Sequence, residues 1–246
     1  MKRTLFAALL AMTALPVHAL DLSAMTDAEK AAFGEAVKEY LFAHPEVLVE
    51  AINKLEERQA AAEAQNDATL IQTNAKDLFE DGHSWVGGNP QGDVTIVEFT
   101  DYKCTYCKKA YPEVNTLLKT DGNIRFVVKE FPILGRQSEL AARFAVAVQQ
   151  VAGDAAYAQV HDDLMNFRGD ITLDSLKRLA ETRKLDADAL MKRMNEEEVT
   201  NVLRANYKLA ERMGIAGTPA FVIGGEMLRG YAPLQQMQQI VAGQRD

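Results

Sequence analysis

Residues 94–107 read Val-Thr-Ile-Val-Glu-Phe-Thr-Asp-Tyr-Lys-Cys-Thr-Tyr-Cys. The first seven are β-branched and aromatic for the most part, the composition of a strand. Cys104 and Cys107 follow almost at once, and they are the only cysteines in the chain. Lys108–Leu118 then read as a helix, so the pair opens a helix that a strand feeds. The N-terminus of a helix carries free N–H groups and the positive end of the dipole. A thiolate placed there is stabilised, and its pKa falls. On that geometry Cys104 is the exposed nucleophile, and Cys107, one turn in, is the shielded thiol that attacks a mixed disulfide. Attack, mixed disulfide and resolution make up thiol–disulfide exchange, for which two cysteines suffice.

Other uses of a cysteine pair fit less well. Structural zinc generally takes four ligands. There is no second pair, and His44, His83 and His161 are scattered without ligand spacing, as surface or cap residues would be. A purely structural bond between Cys104 and Cys107 would close a very small loop and remove little unfolded-chain entropy. No metal site and no cofactor are expected. Two thiolates do suit a soft ion such as Cu(I), which stays as the alternative to redox chemistry.

The chain begins as an exported protein would. Lys2 and Arg3 precede an apolar run, Pro16 breaks it, and Val17-His18-Ala19 offers small residues where a signal peptidase cuts. Residues 1–19 read as a signal peptide, with cleavage after Ala19 and a periplasmic destination. Losing Lys2 and Arg3 takes the net charge from −8 to −10, which argues against nucleic acid as a partner. An oxidising compartment preserves disulfides, yet this chain has no cysteines to spare for staples.

Residues 20–81 read as helical. Thr26-Asp27-Ala28-Glu29 fits a capping box, Gly34 is expected to end or bend the first helix, and Pro45 suits the first turn of a longer one. Phe-free but apolar Leu48, Ile52 and Leu55 recur at four-then-three spacing, whereas Gln, Ala, Glu and Asn fill residues 59–68. Such a segment has too little apolar surface for its own core, which predicts homo-oligomerisation through it, the alternative being that it folds back on the main domain. Residues 82–92 read as a loop on the turn signal Gly87-Gly88-Asn89-Pro90. After the Cys104 helix come a strand at 124–128, a helix capped by Ser138, further helices to Met213, strands at 220–223 and 227–229, and a last helix from Pro233.

Gly217-Thr218-Pro219-Ala220 sets a proline directly before an apolar strand. With this motif and the strand–CxxC–helix unit, residues 85–243 resemble the thioredoxin superfamily and, within it, the DsbA-like disulfide oxidoreductases. Phe131-Pro132-Ile133-Leu134-Gly135 resembles the segment entering the DsbA-like helical insertion, here at about 136–213. The resemblance implies an α/β thioredoxin-like domain over 82–246, with an all-helical arm before it. It also implies that Thr218 and cis-Pro219 hold the substrate backbone, and that Glu98, six residues before Cys104, moves protons for Cys107. Lys129 or Lys103 is a candidate partner for Glu98. Asp101, Lys108 and Lys109 are expected to be solvated charges, and Trp85 and Tyr231 packing residues.

Thr105 and Tyr106 tune the redox potential. A Tyr before the second cysteine and a Thr before the cis-proline look more like DsbC-type isomerases and ScsC-like proteins than like strongly oxidising DsbA. Residues 40–58 resemble ScsC-like and Com1-like members of the DsbA family. The resemblance implies an isomerase or reductase rather than an oxidase, acting on cysteine-containing exported proteins, with a DsbD-like or DsbB-like membrane redox partner.

Overall fold

A computed structural model describes residues 25–245; the leader read at 1–19 lies outside them. The chain divides into two compact units, one ending at Arg58 and one beginning at Gln59.

The first unit holds α1 (Asp27–Ala43) and the beginning of α2 (Glu46–Thr73). The capping box forms: Thr26 N donates to Glu29 Oε2 at 2.8 Å, and Glu29 N donates to the Thr26 hydroxyl at 3.4 Å. Gly34 neither ends nor breaks α1, because the helix on both sides of it tolerates one glycine at a cost of about 1 kcal/mol. Pro45 directly precedes α2. No side chain of α1 is buried. Phe33, Val37, Tyr40, Leu48, Ile52 and Leu55 are all exposed.

The second unit begins within α2, which stops at Thr73 rather than running on toward Asp81. Asn74 breaks it: its amide donates to the Leu70 carbonyl at 2.9 Å, and its oxygen accepts from Arg212 Nε at 2.7 Å. After the short α3 (Ala75–Phe79) comes a five-stranded sheet in the order β1-β3-β2-β4-β5. These strands are β1 (Trp85–Gly88), β2 (Val94–Thr100), β3 (Ile124–Glu130), β4 (Ala220–Ile223) and β5 (Glu226–Arg229). β2 and β3 are parallel, joined through α4 (Thr105–Asp121), and every other pairing is antiparallel.

β1 lies where the sequence suggests only a loop. It is a four-residue edge strand on β3, and its glycines serve close backbone approach rather than a turn. A Cβ on Gly88, at φ +66°, would come within 2.4 Å of the Ile124 carbonyl oxygen. The Trp85 ring occupies the space over Gly87 in the same way.

Strand alternation sorts the core into two layers. Ile96, Phe126, Phe221 and Ile223 pack against Ala110, Val114 and Leu117 of α4 and against Met237 and Val241 of α10 (Leu234–Gly243). Val97, Phe99, Val127 and Val222 face the other way, onto Ile71, Leu78, Leu209 and Met213. Each such side chain contributes about 1.5–3 kcal/mol when fully buried. The insertion comprises α5 (Arg136–Ala152), α6 (Asp154–Met165), α7 (Leu173–Thr182), α8 (Ala187–Arg193) and α9 (Glu197–Arg212). Its core, with Phe144, Val148, Leu164 and Leu190, extends to Tyr102, Cys104 and Cys107. α5 starts earlier than expected, capped by Gly135 at φ 96°; Ser138 is buried inside the helix and is not its cap. Among the described residues no helix is long and apolar enough to cross a membrane.

Candidate active site

β2 delivers the chain to the site at Asp101. Expected in solvent, Asp101 is instead buried. The reason is the number of donors aimed at it. Lys103 N donates to Oδ1 at 2.8 Å, and Ile133 N and Leu134 N donate to Oδ2 at 2.9 and 3.0 Å. A carboxylate accepting three backbone N–H groups can be buried. Asp101 thereby ties the entrance of the cysteine loop to the Phe131–Gly135 segment.

Cys104 is the N-cap of α4, and its Sγ accepts from Cys107 N at 3.2 Å. The Thr218–Pro219 peptide is cis. It brings the Thr218 carbonyl within 3.2 Å of Cys104 Sγ, across 114 residues of sequence. Thr218 and Pro219 also line a groove of about 240 Å³ with Ile215, Gly217 and Gly230. This packing leaves Cys104 only 5% exposed, less open than expected of a nucleophile, while Cys107 has no exposure at all. Both thiols are free.

The two sulfurs are made chemically unequal. The hydrogen bond from the Cys107 thiol is the main reason that the Cys104 pKa falls, with the Thr218 side chain and the Cys107 and Tyr106 backbone N–H groups adding to it and burial opposing. The Cys107 thiol is pushed far up, first by burial, then by its bond to Cys104 and the charge of Glu98. The pair is thereby ordered so that Cys104 ionises before Cys107. Thr105 opens α4, and Tyr106 stands 59% exposed beside Tyr231, their rings 6.3 Å apart. Tyr231 thus touches the rim of the site as well as packing.

Glu98 is buried on the sheet face that α4 covers, and burial raises its pKa to about 8. Neither suggested lysine pairs with it. Lys129 is paired across from Phe99, one residue out of step with Glu98, so alternation sends it to the opposite face. There it meets the Asp81 carboxylate and the Asp77 carbonyl. Lys103 reaches the Gly169 carbonyl at 3.5 Å. Lys108, also expected in solvent, donates to the Phe167 carbonyl at 2.7 Å. Lys109 lies over the Tyr231 ring at 4.0 Å.

His161 is not a surface or cap residue. It is fully buried and stacks on Tyr157, and Trp85 stacks on both. His83 is half-buried against Asp81. Beside His161 lies a buried group that the sequence does not flag: Tyr102 and Tyr157 both donate to Glu130 Oε1 at 2.6 Å. Glu130 closes an apolar strand, where a carboxylate ordinarily meets water, and nothing in the local pattern reveals tyrosines arriving from 28 residues before and 27 after it. Among the described residues no group of three or more His, Cys, Asp or Glu could hold a metal ion.

Residues 95–242 match the family model of the DSBA-like thioredoxin domain, and residues 29–62 that of the copper resistance protein ScsC N-terminal domain. A thioredoxin-like oxidoreductase from Silicibacter pomeroyi DSS-3 is 39% identical, covers 69% of this chain and 96% of its own, and superposes with a TM-score of 0.65. BcfH of Salmonella enterica Typhimurium is 29% identical over 89% of this chain and 97% of its own, with a TM-score of 0.71. A periplasmic thioredoxin-like protein from Salmonella enterica serovar Typhimurium is 28% identical over 69% and 94%, with a TM-score of 0.62. The chain spans about a quarter of the length of the first curated relatives it matches. One of these is a Na(+)/H(+) antiporter of Salinispora arenicola, 28% identical over 157 residues, 63% of this chain and 24% of the antiporter.

Proposed function

The chain belongs to the DSBA-like thioredoxin family, a family of thiol–disulfide oxidoreductases, and from that premise we propose that it is an exported isomerase or reductase of disulfides in secreted proteins. The observation that carries the reading is the placement of Cys104 Sγ, between the Cys107 N–H at the head of α4 and the Thr218 carbonyl beside cis-Pro219. Cys104 thiolate attacks one sulfur of a substrate disulfide, and the other sulfur leaves as a thiolate. The Thr218–Pro219 loop holds the substrate backbone next to the new bond, and Glu98 takes the Cys107 proton.

Two outcomes follow from that mixed disulfide. If Cys107 attacks, the substrate leaves reduced and the Cys104–Cys107 disulfide holds the two electrons' worth of oxidation. If the freed substrate thiolate attacks instead, the bonds are reshuffled with no net redox change. The lowered pKa of Cys104 supplies the thiolate that either outcome needs, and the Thr105-Tyr106 dipeptide together with Thr218 before cis-Pro219 supports reduction and isomerisation over oxidation. Such an enzyme needs a membrane electron donor of the DsbD type, whereas an oxidase would need a DsbB-type acceptor.

The exposed apolar side chains of α1 and early α2 support self-association. Phe33, Val37 and Tyr40, then Leu48, Ile52 and Leu55, recur at the spacing of one helical face. Copies assembled through that face present several cysteine sites to one misfolded substrate. Reactivation of scrambled ribonuclease, compared with oxidation of the reduced enzyme, tests the assignment: reactivation without a strong oxidase activity is expected, and the converse pattern refutes it.

A second reading is Cu(I) handling by the two thiolates, favoured by the match of residues 29–62 to the ScsC N-terminal domain, a domain named for copper resistance. Cu(I) titration of the reduced protein against a competing chelator decides it. Stoichiometric binding that the double cysteine variant loses is the expected result on this reading.

A further inference from the structure

Six buried side-chain N or O atoms among the described residues have no hydrogen-bond partner, and four belong to one group: Glu98 Oε1, Thr100 Oγ1, Glu130 Oε2 and His161 Nε2. Buried polar atoms are ordinarily paired, so a cluster of unpaired ones directly behind a dithiol asks for a use.

The sheet explains why they gather. Glu98 and Thr100 are two residues apart on β2 and share a face; Thr100 is paired with Glu130 on the parallel strand. Strand rise and interstrand spacing put the Glu98 and Glu130 Cα atoms about 8 Å apart. Both carboxyls lie toward the carboxyl ends of their strands, on the face covered by α4 and its two cysteines.

Glu130 is held from several sides. Its Oε1 accepts from Tyr102 and Tyr157, and Tyr102 Oη is 2.8 Å from His161 Nδ1. Tyr102 has one hydroxyl proton and two partners. With Glu130 ionised, His161 Nδ1–H donates to Tyr102 and Tyr102 donates to Glu130. With Glu130 protonated on Oε1, the bonds reverse, and His161 carries its proton on Nε2. The chain has two self-consistent directions that differ by one proton at Glu130.

We propose that Glu130 is a second buried carboxyl of the dithiol site, a positioning residue that governs the protonation of Glu98 and so the pH range over which Cys107 resolves a mixed disulfide. The inference rests on the oxidoreductase reading above. When Cys107 resolves, its Sγ bonds to Cys104 Sγ, the bond from Cys104 to the substrate sulfur breaks, the electron pair leaves with the substrate thiolate, and the Cys107 proton passes to Glu98. Glu98 accepts it only when ionised. A charged Glu130 on the same face opposes that ionisation.

The titratable surroundings are consistent with such coupling. Burial raises Glu98 most, the Thr100 hydroxyl beside it acts to lower it, and Cys104 and then Glu130 raise it as negative neighbours. Glu130 is raised to about 8, first by burial and also by Asp101, while Tyr102 and Tyr157 act to lower it. From α6, His161 is driven down to about 3 by burial, so it brings no compensating charge. From α4, Cys107 and Tyr111 both register the charge of Glu98. From α9, Asn206 donates to the backbone carbonyl of Glu130 rather than to its carboxyl. Among the described residues no cation acts on either carboxyl.

The test uses the full chain and oxidised glutathione. Reduced protein reacts with it to form the Cys104–glutathione disulfide, whose decay by Cys107 is followed by acid quenching and mass spectrometry across pH. Absorbance at 240 nm reports the Cys104 thiolate separately. Glu130→Gln is expected to move the midpoint of the decay profile down by about one pH unit, the size of a charge–charge interaction at this separation, and to leave the Cys104 midpoint in place. Tyr102→Phe, which removes one hydroxyl and favours neutral Glu130, is expected to give a smaller shift in the same direction, and it decides the matter if Glu130→Gln does not fold. An unmoved decay midpoint in a folded variant, or equal movement of both midpoints, overturns the inference. Wild-type protein whose mixed disulfide never decays refutes the oxidoreductase reading itself, and the inference with it.

Discussion

The two units use apolar residues in opposite ways. In the second unit, Ile96, Phe99, Val127 and Phe144 are buried, and the layers of sheet and helix account for them. In the first, Phe33, Tyr40, Leu48 and Ile52 have helical spacing just as regular and lie exposed. Periodicity identifies a face that seeks cover; it does not identify the cover. The second unit carries the cysteine pair, whereas the first leaves an apolar face exposed, the basis of the proposed self-association.

The sharpest separation of the two comes from Cys104→Ser. Loss of the nucleophile is expected to cut insulin reduction at least about a thousandfold, with the molecular mass by sedimentation unchanged. A variant that also changed mass would break the division of labour. The reverse experiment is the double substitution Leu48→Asp and Ile52→Asp. Charges on the apolar face are expected to reduce the sedimenting species to a single chain and to lower reactivation of scrambled ribonuclease several-fold, while insulin reduction per site persists. An unchanged mass would remove the case for this face as an interface.

Within the catalytic unit, Asp101→Ala removes the acceptor of three backbone N–H groups. Stability should fall by about 2–3 kcal/mol, the cost of stranding buried donors, as read from the midpoint of urea unfolding. A separate effect, with a defined sign, concerns pH. Glu98 and Glu130 are raised from 4.5 to about 8 in the folded chain. Between those pH values the unfolded chain has lost these protons and the folded chain retains them, so each carboxyl makes stability fall as pH rises, by at most about 1.4 kcal/mol per unit. That contribution is fully present below pH 4.5 and gone above about 8. Glu98→Gln is expected to flatten the wild-type curve over this window; a parallel curve would mean that Glu98 does not titrate there.

How much of this was legible beforehand depends on the range of the signal. The strand–CxxC–helix unit and the proline before β4 are contiguous in sequence, and they fold as their local patterns suggest. Glu98 is reached through the family resemblance, which puts a proton-transferring carboxyl six residues before Cys104. Asp101, Glu130 and His161 are not, since their meaning depends on partners tens of residues away: the Ile133 and Leu134 amides for one, two tyrosine hydroxyls and an imidazole for the others. Lys129 and Lys103 are equal candidates for Glu98 in the sequence, and only the strand register, which pairs Lys129 with Phe99, shows that Lys129 occupies the opposite face. β1 was hidden for a related reason, as Gly87 and Gly88 look the same in a turn and on a crowded sheet edge.

The claim that joins these parts is that Cys104 and Cys107 form a reversible couple poised for reduction and isomerisation. Equilibration with glutathione buffers, followed by alkylation of free thiols, measures it directly. A potential much nearer to thioredoxin's, about −270 mV, than to DsbA's, about −120 mV, is the expected result. A value at the DsbA end would make the protein an oxidase, and the absence of any reversible couple would contradict the account at its centre and leave Cu(I) binding as the use of the two thiolates.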